Sequence, residues 1–251
     1  MKQIINLPNF ISLLRILVIP IFAIGFLHKS GMGYFLAFIT AAIIEISDLL
    51  DGYIARHNKQ VTKFGKLFDP LADTLSRFSI FLTLLIAGIL PPWMIFVFFI
   101  RDMSIAYMRA FASTESIIIS ARYSGKIKAV MQAIAILSVC YLLMLSKQNM
   151  FFTNPTHRLG VVITIVVMVT FILLSLWYYK IKGYAKHVLL ILTPILTFLM
   201  LLAIYIKIQI SIESIKKLIY ILLFITVTMT AYSLFDYAVG FVKSMSAKNE
   251  F

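Results

Sequence analysis

Four aspartates stand close together in an otherwise apolar part of the chain. Asp48 and Asp51 are three residues apart, and Asp69 and Asp73 are four apart. On helices, either spacing places both members of a pair on one face, with Cβ atoms about 5–6 Å apart. Two such faces turned toward each other form a cage of carboxylates. Carboxylates at membrane depth are costly enough to indicate a shared purpose.

The charge and the donor type together predict a metal site. Four like charges repel, so cations are their natural compensation, and oxygen ligands of this kind favour Mg²⁺ or Mn²⁺. Two ions about 3.5–4 Å apart would hold a pyrophosphate and stabilise its cleavage. The alternative is a set of helix-end carboxylates paired with Arg56, Lys63 and Lys66. The register of both pairs on two helices favours the metal site.

Small residues accompany the aspartates. Gly52, Ala55 and Gly65 would let a ligand or a facing helix approach the backbone closely. Arg56, one turn beyond Asp51, is placed either to bind a phosphate or to pair with an aspartate. These residues predict a phosphate-containing ligand next to the carboxylates.

Together these residues form one continuous pattern, Asp48-x-x-Asp51-Gly52-x-x-Ala55-Arg56, eight residues, then Gly65-x-x-x-Asp69-x-x-x-Asp73. The pattern resembles the signature of the CDP-alcohol phosphotransferases, membrane enzymes that move a phosphoryl-containing group from a CDP-linked donor to an alcohol. The resemblance implies a two-ion site with the ligands Asp48, Asp51, Asp69 and Asp73. It also implies that Asp73 is the catalytic base and that the CDP donor is bound by Gly52, Ala55, Arg56 and Gly65.

Two further stretches, Leu7–Ile16 and Phe64–Asp73, resemble bacterial phosphatidylglycerophosphate synthases. That resemblance implies CDP-diacylglycerol as donor and glycerol 3-phosphate as acceptor. The cations expected at the acceptor phosphate are Arg109, Arg122 and Lys126; the alternative is that they contact lipid headgroups. Arg101-Asp102 resembles cardiolipin synthases of the same superfamily instead. Cardiolipin synthase, or an enzyme with another acceptor, is therefore the alternative activity.

Composition independently indicates a membrane protein. The chain is 61% hydrophobic and 13% charged, with a mean hydropathy of +0.98. The net charge of +13 does not predict a nucleic-acid partner, because Lys and Arg stand in short loops between apolar runs, where positive charge sets topology. Cys140 is the single cysteine, so an internal disulfide and a thiolate metal site are excluded.

Windows of about 20 apolar residues predict eight membrane spans, at 10–28, 33–57, 69–90, 92–113, 125–147, 158–180, 186–207 and 215–242. The distribution of Lys and Arg places both termini and the aspartate site on the cytoplasmic side of the cell (inner) membrane. The predicted fold is therefore an all-α polytopic membrane protein. Residues 1–181 are expected to form a six-helix CDP-alcohol phosphotransferase catalytic core.

Residues 182–251 are expected to form a two-helix transmembrane appendage that serves assembly or stability rather than chemistry. The resemblance also implies a homodimer. Within the appendage, Asp236 is expected either to face the bundle interior or to pair with Lys243. In the core, Arg15 and Arg101 are expected to pair with Asp102 or Glu45, because an unpaired charge in apolar sequence is costly.

Two other classes of protein fit the sequence less well. A metal-ion transporter would also bury acids, but transporters often have inverted repeats and broken helices in matching halves. Here the acids are confined to one segment, and no repeat is evident. A scaffold or inactive homologue is disfavoured by the complete set of aspartates.

Overall fold

The computed structural model describes residues 7–57, 62–115, 122–146 and 212–249, and these residues fold into helices. The helices are α1 (Leu7–Leu27), α2 (Gly31–His57), α3 (Lys63–Ile86), α4 (Pro92–Thr114), α5 (Tyr123–Ser146) and α6 (Ile212–Asn249). The predicted all-α class is confirmed. Helices α1 to α5 correspond to the first five predicted spans and α6 to the last. The predicted spans 158–180 and 186–207 lie outside the described residues.

Helix α3 differs from its predicted bounds, 69–90, at both ends. It begins at Lys63 because the Thr62 hydroxyl caps it, accepting a hydrogen bond of 2.9 Å from the Gly65 N–H. It ends at Ile86 because Gly88 adopts a left-handed φ of 78°, which stops the helix. Asp69 therefore lies inside α3 rather than at its first residue.

Several helices are suited to a bilayer. Four segments are long and apolar enough to cross a membrane: Asn9–Leu27, Gly31–Asp48, Tyr123–Met144 and Glu213–Ser246. Large apolar side chains also cover the outside, for example Leu17, Ile24 and Phe235, which are 62%, 71% and 69% exposed. Such a surface fits lipid better than water. The chain is a polytopic membrane protein.

The helices pack so that α1 touches both α2 and α3, while α5 touches α2 and α6. Helix α4 completes the arrangement through contacts with α3 and α6. Aromatic rings fill the interior, as where Phe81 of α3 stacks on Phe98 of α4 with 4.2 Å between ring centroids. This packing brings the end of α2, the start of α3, the end of α4 and the start of α5 into one polar region.

Helix α6 is the longest of the described helices. Its 38 residues span about 57 Å, well beyond the roughly 30 Å hydrocarbon thickness of a bilayer. Its first turns have an exposed ion pair between Glu213 and Lys217, with 3.2 Å between Oε1 and Nζ. Its second half lies against α4 and α5 through polar residues that are described below.

Candidate active site

Two side chains of helix α1 donate hydrogen bonds to two of the predicted aspartates, which lie on α2 and α3. The Ser12 hydroxyl donates to Asp69 Oδ1 at 2.8 Å, and Arg15 Nη1 donates to Asp48 Oδ1 at 3.0 Å. Ser12 and Arg15 are three residues apart, so one face of α1 reaches both α2 and α3. The Arg15 side chain is 1% exposed and that of Asp48 is 39% exposed. The arginine thus lies behind a carboxylate that faces outward.

The third aspartate is held by Arg77, which the sequence analysis did not identify. Arg77 Nε donates to Asp73 Oδ1 at 2.8 Å. Its two terminal nitrogens donate to the Glu45 carboxylate of α2, at 3.2 and 3.0 Å. This bidentate pair joins α2 to α3. The available signal was the four-residue spacing from Asp73 to Arg77, which is typical of an ion pair on a helix.

The expected pairing of Arg15 with Asp102 or Glu45 is wrong. Arg15 pairs with Asp48, because Asp48 is one turn beyond Glu45 on α2 and the Glu45 carboxylate is taken by Arg77. The expected pairing of Arg101 is confirmed, since its Nη1 donates to Asp102 Oδ1 at 2.8 Å.

We call the group of Ser12, Arg15, Glu45, Asp48, Asp69, Asp73 and Arg77 the aspartate cluster. It contains four carboxylates and two guanidinium groups, a surplus of two negative charges. The charges of Asp48 and Asp73 also act on each other. The carboxylate donors of the cluster are hard oxygens of the kind that suits a divalent ion. The donor set therefore fits Mg²⁺ or Mn²⁺.

The full ligand set is not assembled among the side chains that the structure describes. Within them, no group of three or more His, Cys, Asp or Glu is arranged to hold a metal ion. Asp51, Gly52, Ala55 and Arg56 lie in the last turns of α2, and their side-chain surroundings fall outside the described part. The assignment of Asp48, Asp51, Asp69 and Asp73 as ligands remains a prediction.

Gly65 makes room for a facing helix. A Cβ atom at this position would lie 2.7 Å from Asn9 Oδ1 of α1, closer than real Cβ atoms come. The close approach that was expected for Gly65 therefore exists, and its partner in the structure is α1. Contact of Gly65 with a CDP donor remains a prediction.

A second polar group lies on α4, α5 and α6. Asp102 of α4 accepts from Arg101 Nη1 and from Lys128 Nζ, at 2.8 and 2.9 Å. Lys128 of α5 is buried, whereas Lys126, the residue predicted for acceptor binding, is exposed and has no polar contact with described residues. Lys128, and not Lys126, is therefore the lysine of α5 that lies in the interior.

The other two predicted acceptor residues meet at α6. Arg109 Nη2 donates to the Tyr237 hydroxyl at 2.9 Å, and the backbone N–H of Arg122 donates to the same oxygen at 3.0 Å. Arg122 Nη2 lies 2.9 Å from Asp236 Oδ1. Asp236 was expected either to face the bundle interior or to pair with Lys243. It faces the interior, where it pairs with Arg122.

We call the group of Arg101, Asp102, Arg109, Arg122, Ser124, Lys128, Ser233, Asp236 and Tyr237 the cation cluster. It contains four cations and two carboxylates, a surplus of two positive charges. Sequence patterns could not indicate its assembly, because Arg101 and its partner Ser233 are 132 residues apart.

The two clusters adjoin each other. Arg77 Nη1 donates to the Ala129 carbonyl at 3.4 Å, next to Lys128 on α5. A cavity of about 190 Å³ is lined by Arg77 of the aspartate cluster and Asp102 of the cation cluster, with Phe78 and Phe99 in its walls. The arrangement places a group rich in carboxylates directly beside a group rich in cations.

Comparison with known proteins identifies the class. Residues 5–166 match the family model of CDP-alcohol phosphatidyltransferases, and the chain belongs to this family. Its relatives are transferases of phospholipid biosynthesis. A Bacillus subtilis protein named CDP-diacylglycerol–glycerol-3-phosphate 3-phosphatidyltransferase is 36% identical over 143 residues, covering 52% of this chain and 74% of the relative.

Two further relatives agree with this class. A Mycoplasma genitalium protein of the same name is 38% identical over 104 residues, covering 41% of this chain and 43% of the relative. A Mycobacterium tuberculosis protein named probable phosphatidylglycerophosphate synthase is 31% identical over 137 residues, covering 53% of this chain and 65% of the relative. Helix α6 lies beyond the residues that match the family.

Proposed function

We propose that this chain transfers the phosphatidyl group of CDP-diacylglycerol to glycerol 3-phosphate, releasing CMP and forming phosphatidylglycerophosphate. The observation that carries the proposal is the aspartate cluster, which lies within the family match and has a surplus of two negative charges. The names of the relatives support the choice of donor and acceptor.

A pair of Mg²⁺ or Mn²⁺ ions fits this site. Asp48, Asp51, Asp69 and Asp73 are the residues that would hold them. When bound, the ions neutralise the pyrophosphate and the charge that develops on the leaving CMP. The cytidine and pyrophosphate of the donor would lie over Gly52, Ala55, Arg56 and Gly65, with the acyl chains in the bilayer.

Asp73 serves as the general base. Arg77 binds Asp73 Oδ1, which orients the carboxylate and leaves Oδ2 without a hydrogen bond to described residues. Oδ2 takes the proton of the acceptor hydroxyl as its oxygen attacks the β-phosphorus. A new P–O bond forms, the P–O bond to CMP breaks, and the proton later passes from Asp73 to water. The 39% exposure of the Asp73 side chain gives the acceptor access.

The acceptor phosphate is bound by fixed positive charge, for which Arg109, Arg122 and Lys126 are the candidates. The surplus of two positive charges in the cation cluster suits a phosphate monoester. A second candidate activity is cardiolipin synthesis. The residues that resemble cardiolipin synthases are Arg101 and Asp102, and they form an ion pair in this site. In that case phosphatidylglycerol replaces glycerol 3-phosphate.

We further propose that the enzyme is a multi-pass homodimer of the cell (inner) membrane, with its active site and both termini in the cytoplasm. The excess of Lys and Arg in loops on one side supports the orientation. Exposed apolar faces, such as that of α1, are available to lipid or to a second copy.

The deciding experiment supplies purified full-length protein with radiolabelled CDP-diacylglycerol and Mg²⁺ or Mn²⁺. Glycerol 3-phosphate, phosphatidylglycerol, inositol phosphate and serine are offered in separate reactions. We expect labelled phosphatidylglycerophosphate and stoichiometric CMP with glycerol 3-phosphate. Labelled cardiolipin would favour the second candidate, and no CMP release with any acceptor would contradict the transferase assignment.

A further inference from the structure

Helix α6 presents a polar stripe to the cation cluster. Ser233, Asp236, Tyr237 and Gly240 recur at helical spacing and share one face of α6. Helix α6 packs against α4 and α5 and lies beyond residues 5–166, which match the family. We call these four residues the α6 stripe. It is an addition to the family core that touches the residues expected to bind the acceptor.

Tyr237 is the centre of the stripe. Its hydroxyl oxygen accepts from Arg109 Nη2 at 2.9 Å and from the backbone N–H of Arg122 at 3.0 Å. Its ring lies 5.7 Å from Cζ of Arg101 and 5.4 Å from Cζ of Arg109, within the range of cation–π attraction. The side chain is buried, so its hydroxyl is fixed. One buried oxygen thus joins the Arg109 guanidinium to the backbone of Arg122.

Asp236 and Gly240 fix the side chain of Arg122. Asp236 Oδ1 binds Arg122 Nη2 at 2.9 Å, and Asp236 Oδ2 accepts from the Ser124 hydroxyl at 2.5 Å. A methyl group at position 240 would overlap the Arg122 guanidinium. The Arg122 guanidinium therefore lies directly on the backbone of α6, and a side chain at position 240 would displace it.

The arginines keep donors for a ligand. A guanidinium has five N–H groups. Arg109 uses one of them on Tyr237, is exposed, and has no other hydrogen bond to described residues. The Arg122 side chain is 35% exposed. The surplus of two positive charges in the cation cluster equals the charge of a phosphate monoester dianion.

We propose that the α6 stripe positions Arg109 and Arg122 to bind the acceptor phosphate, with Tyr237 as the principal positioning residue. The inference rests on the proposed function, in which these two arginines hold that phosphate. Tyr237 and Asp236 contact the arginines and not the acceptor. They therefore act on acceptor affinity and leave donor affinity and the attack unchanged.

The test compares Tyr237→Phe with Tyr232→Phe in the full-length protein. Tyr232 is on the same helix but 58% exposed, so its hydroxyl is a matched control. A hydrogen bond to a charged group contributes enough that its loss should raise the KM for glycerol 3-phosphate about 10-fold or more. The KM for CDP-diacylglycerol should stay at its wild-type value, as should every parameter of the control. A modest fall in the melting temperature of Tyr237→Phe is expected, because two donors lose their shared acceptor.

Asp236→Asn provides a second test, with the exposed Glu213→Gln as its control. We expect a rise in acceptor KM of similar direction, because Arg122 loses its charged partner. A lower acceptor KM would show that the carboxylate competes with the acceptor and would overturn its positioning role. If Tyr237→Phe does not fold, Asp236→Asn decides by the same comparison of the two KM values.

Two results would overturn the inference: an unchanged acceptor KM in both variants, or equal rises in acceptor and donor KM. Failure of the proposed function is separately visible. Wild-type protein that uses phosphatidylglycerol and not glycerol 3-phosphate refutes the proposed acceptor. The same variants measured with phosphatidylglycerol then decide the role of the stripe, because that acceptor also contains a phosphate.

Discussion

The aspartate cluster and the cation cluster both contain ion pairs with an excess of one sign of charge, and the sign of that excess is opposite in the two. The first balances four carboxylates with two buried arginines, and the second balances four cations with two carboxylates. The two surpluses have opposite signs and adjoin each other, so they offset one another in part and leave a separation of charge across the site. Under the proposed function, the carboxylate-rich side would bind cations and the cation-rich side would bind an anion.

The two clusters also differ in where their partners come from. The aspartate cluster is closed by pairs such as Arg15–Asp48 and Ser12–Asp69, 33 and 57 residues apart. The cation cluster is closed by α6, whose contacts span 112 to 132 residues. The part that is proposed to bind the donor thus lies within the residues that match the family, while the part that is proposed to bind the acceptor also depends on a later helix.

The largest effect is expected from removing ligand charge in the aspartate cluster. Asp48→Asn, Asp51→Asn or Asp69→Asn should reduce transfer to background while the protein stays folded, since each keeps the size of the side chain. EDTA should do the same, and Mg²⁺ or Mn²⁺ should restore activity. Full turnover in EDTA, or in any two of these variants, would refute the metal assignment.

Asp73→Asn should lower the transfer rate by about 10²–10⁴-fold, the usual contribution of a general base. Donor affinity should fall much less, because the other carboxylates remain. Single-turnover rates and CDP-diacylglycerol binding, measured on the same preparation, separate the two effects. Equal losses would leave Asp73 as a metal ligand only and remove its role as general base.

Arg77→Met tests whether the buried Arg77 guanidinium stabilises the fold by neutralising Glu45 and Asp73. Removing one partner of a buried ion pair typically costs about 3–5 kcal/mol, because the other charges stay behind. The melting temperature in detergent should fall clearly, and Glu45→Gln added to Arg77→Met should recover part of the loss. Lys217→Met, which breaks the exposed pair with Glu213, should cost no more than about 1 kcal/mol. Similar losses in both single variants would contradict the buried role of Arg77.

Arg109→Ala and Lys126→Ala should raise the KM for glycerol 3-phosphate and leave that for CDP-diacylglycerol nearly unchanged. The loss of a charge-assisted contact corresponds to about 10–100-fold for Arg109. We expect the smaller effect for Lys126, because it is exposed. A rise in the KM for CDP-diacylglycerol with either variant would show that the residue binds the donor rather than the acceptor.

The smallest effect on maximal rate is expected from truncation after Lys182. The shortened protein should keep measurable transfer at saturating acceptor, because the aspartate cluster remains. It should melt at a lower temperature or change its oligomeric mass, and its acceptor KM should rise because α6 is absent. A folded, dimeric, metal-bound but wholly inactive truncated protein would place residues 182–251 in the chemistry itself and contradict the division at 181.

Sequence periodicity predicted the helices well where apolar runs were long. The described helices match six predicted spans. The start of α3 was missed because Lys63, Gly65 and Lys66 interrupt its first apolar residues, and the Thr62 cap rather than a continuous apolar run fixes where it begins. The spacing of Asp69 and Asp73 correctly implied one helical face. That inference needed only local geometry.

Partner choice was harder to predict. Arg15 lies in apolar sequence, which indicated that it needs an acid, but its spacing cannot say which one. The pairing of Arg122 with Asp236 depends on how α5 and α6 meet in space, and a single isolated acid in the last span does not indicate that meeting. Tertiary contacts over more than 100 residues leave no periodic trace in the sequence.

The length of α6 sets the depth at which the acceptor would be met. Lys217 and Asp236 are 19 residues apart, which is about 29 Å along a helix and close to the roughly 30 Å of bilayer hydrocarbon. With the exposed pair at Lys217 at one boundary, Asp236 and Tyr237 lie at the opposite edge of the hydrocarbon, next to the headgroup region. A water-soluble acceptor would then be captured in the plane of the donor's own pyrophosphate, so the two substrates need no vertical travel to react.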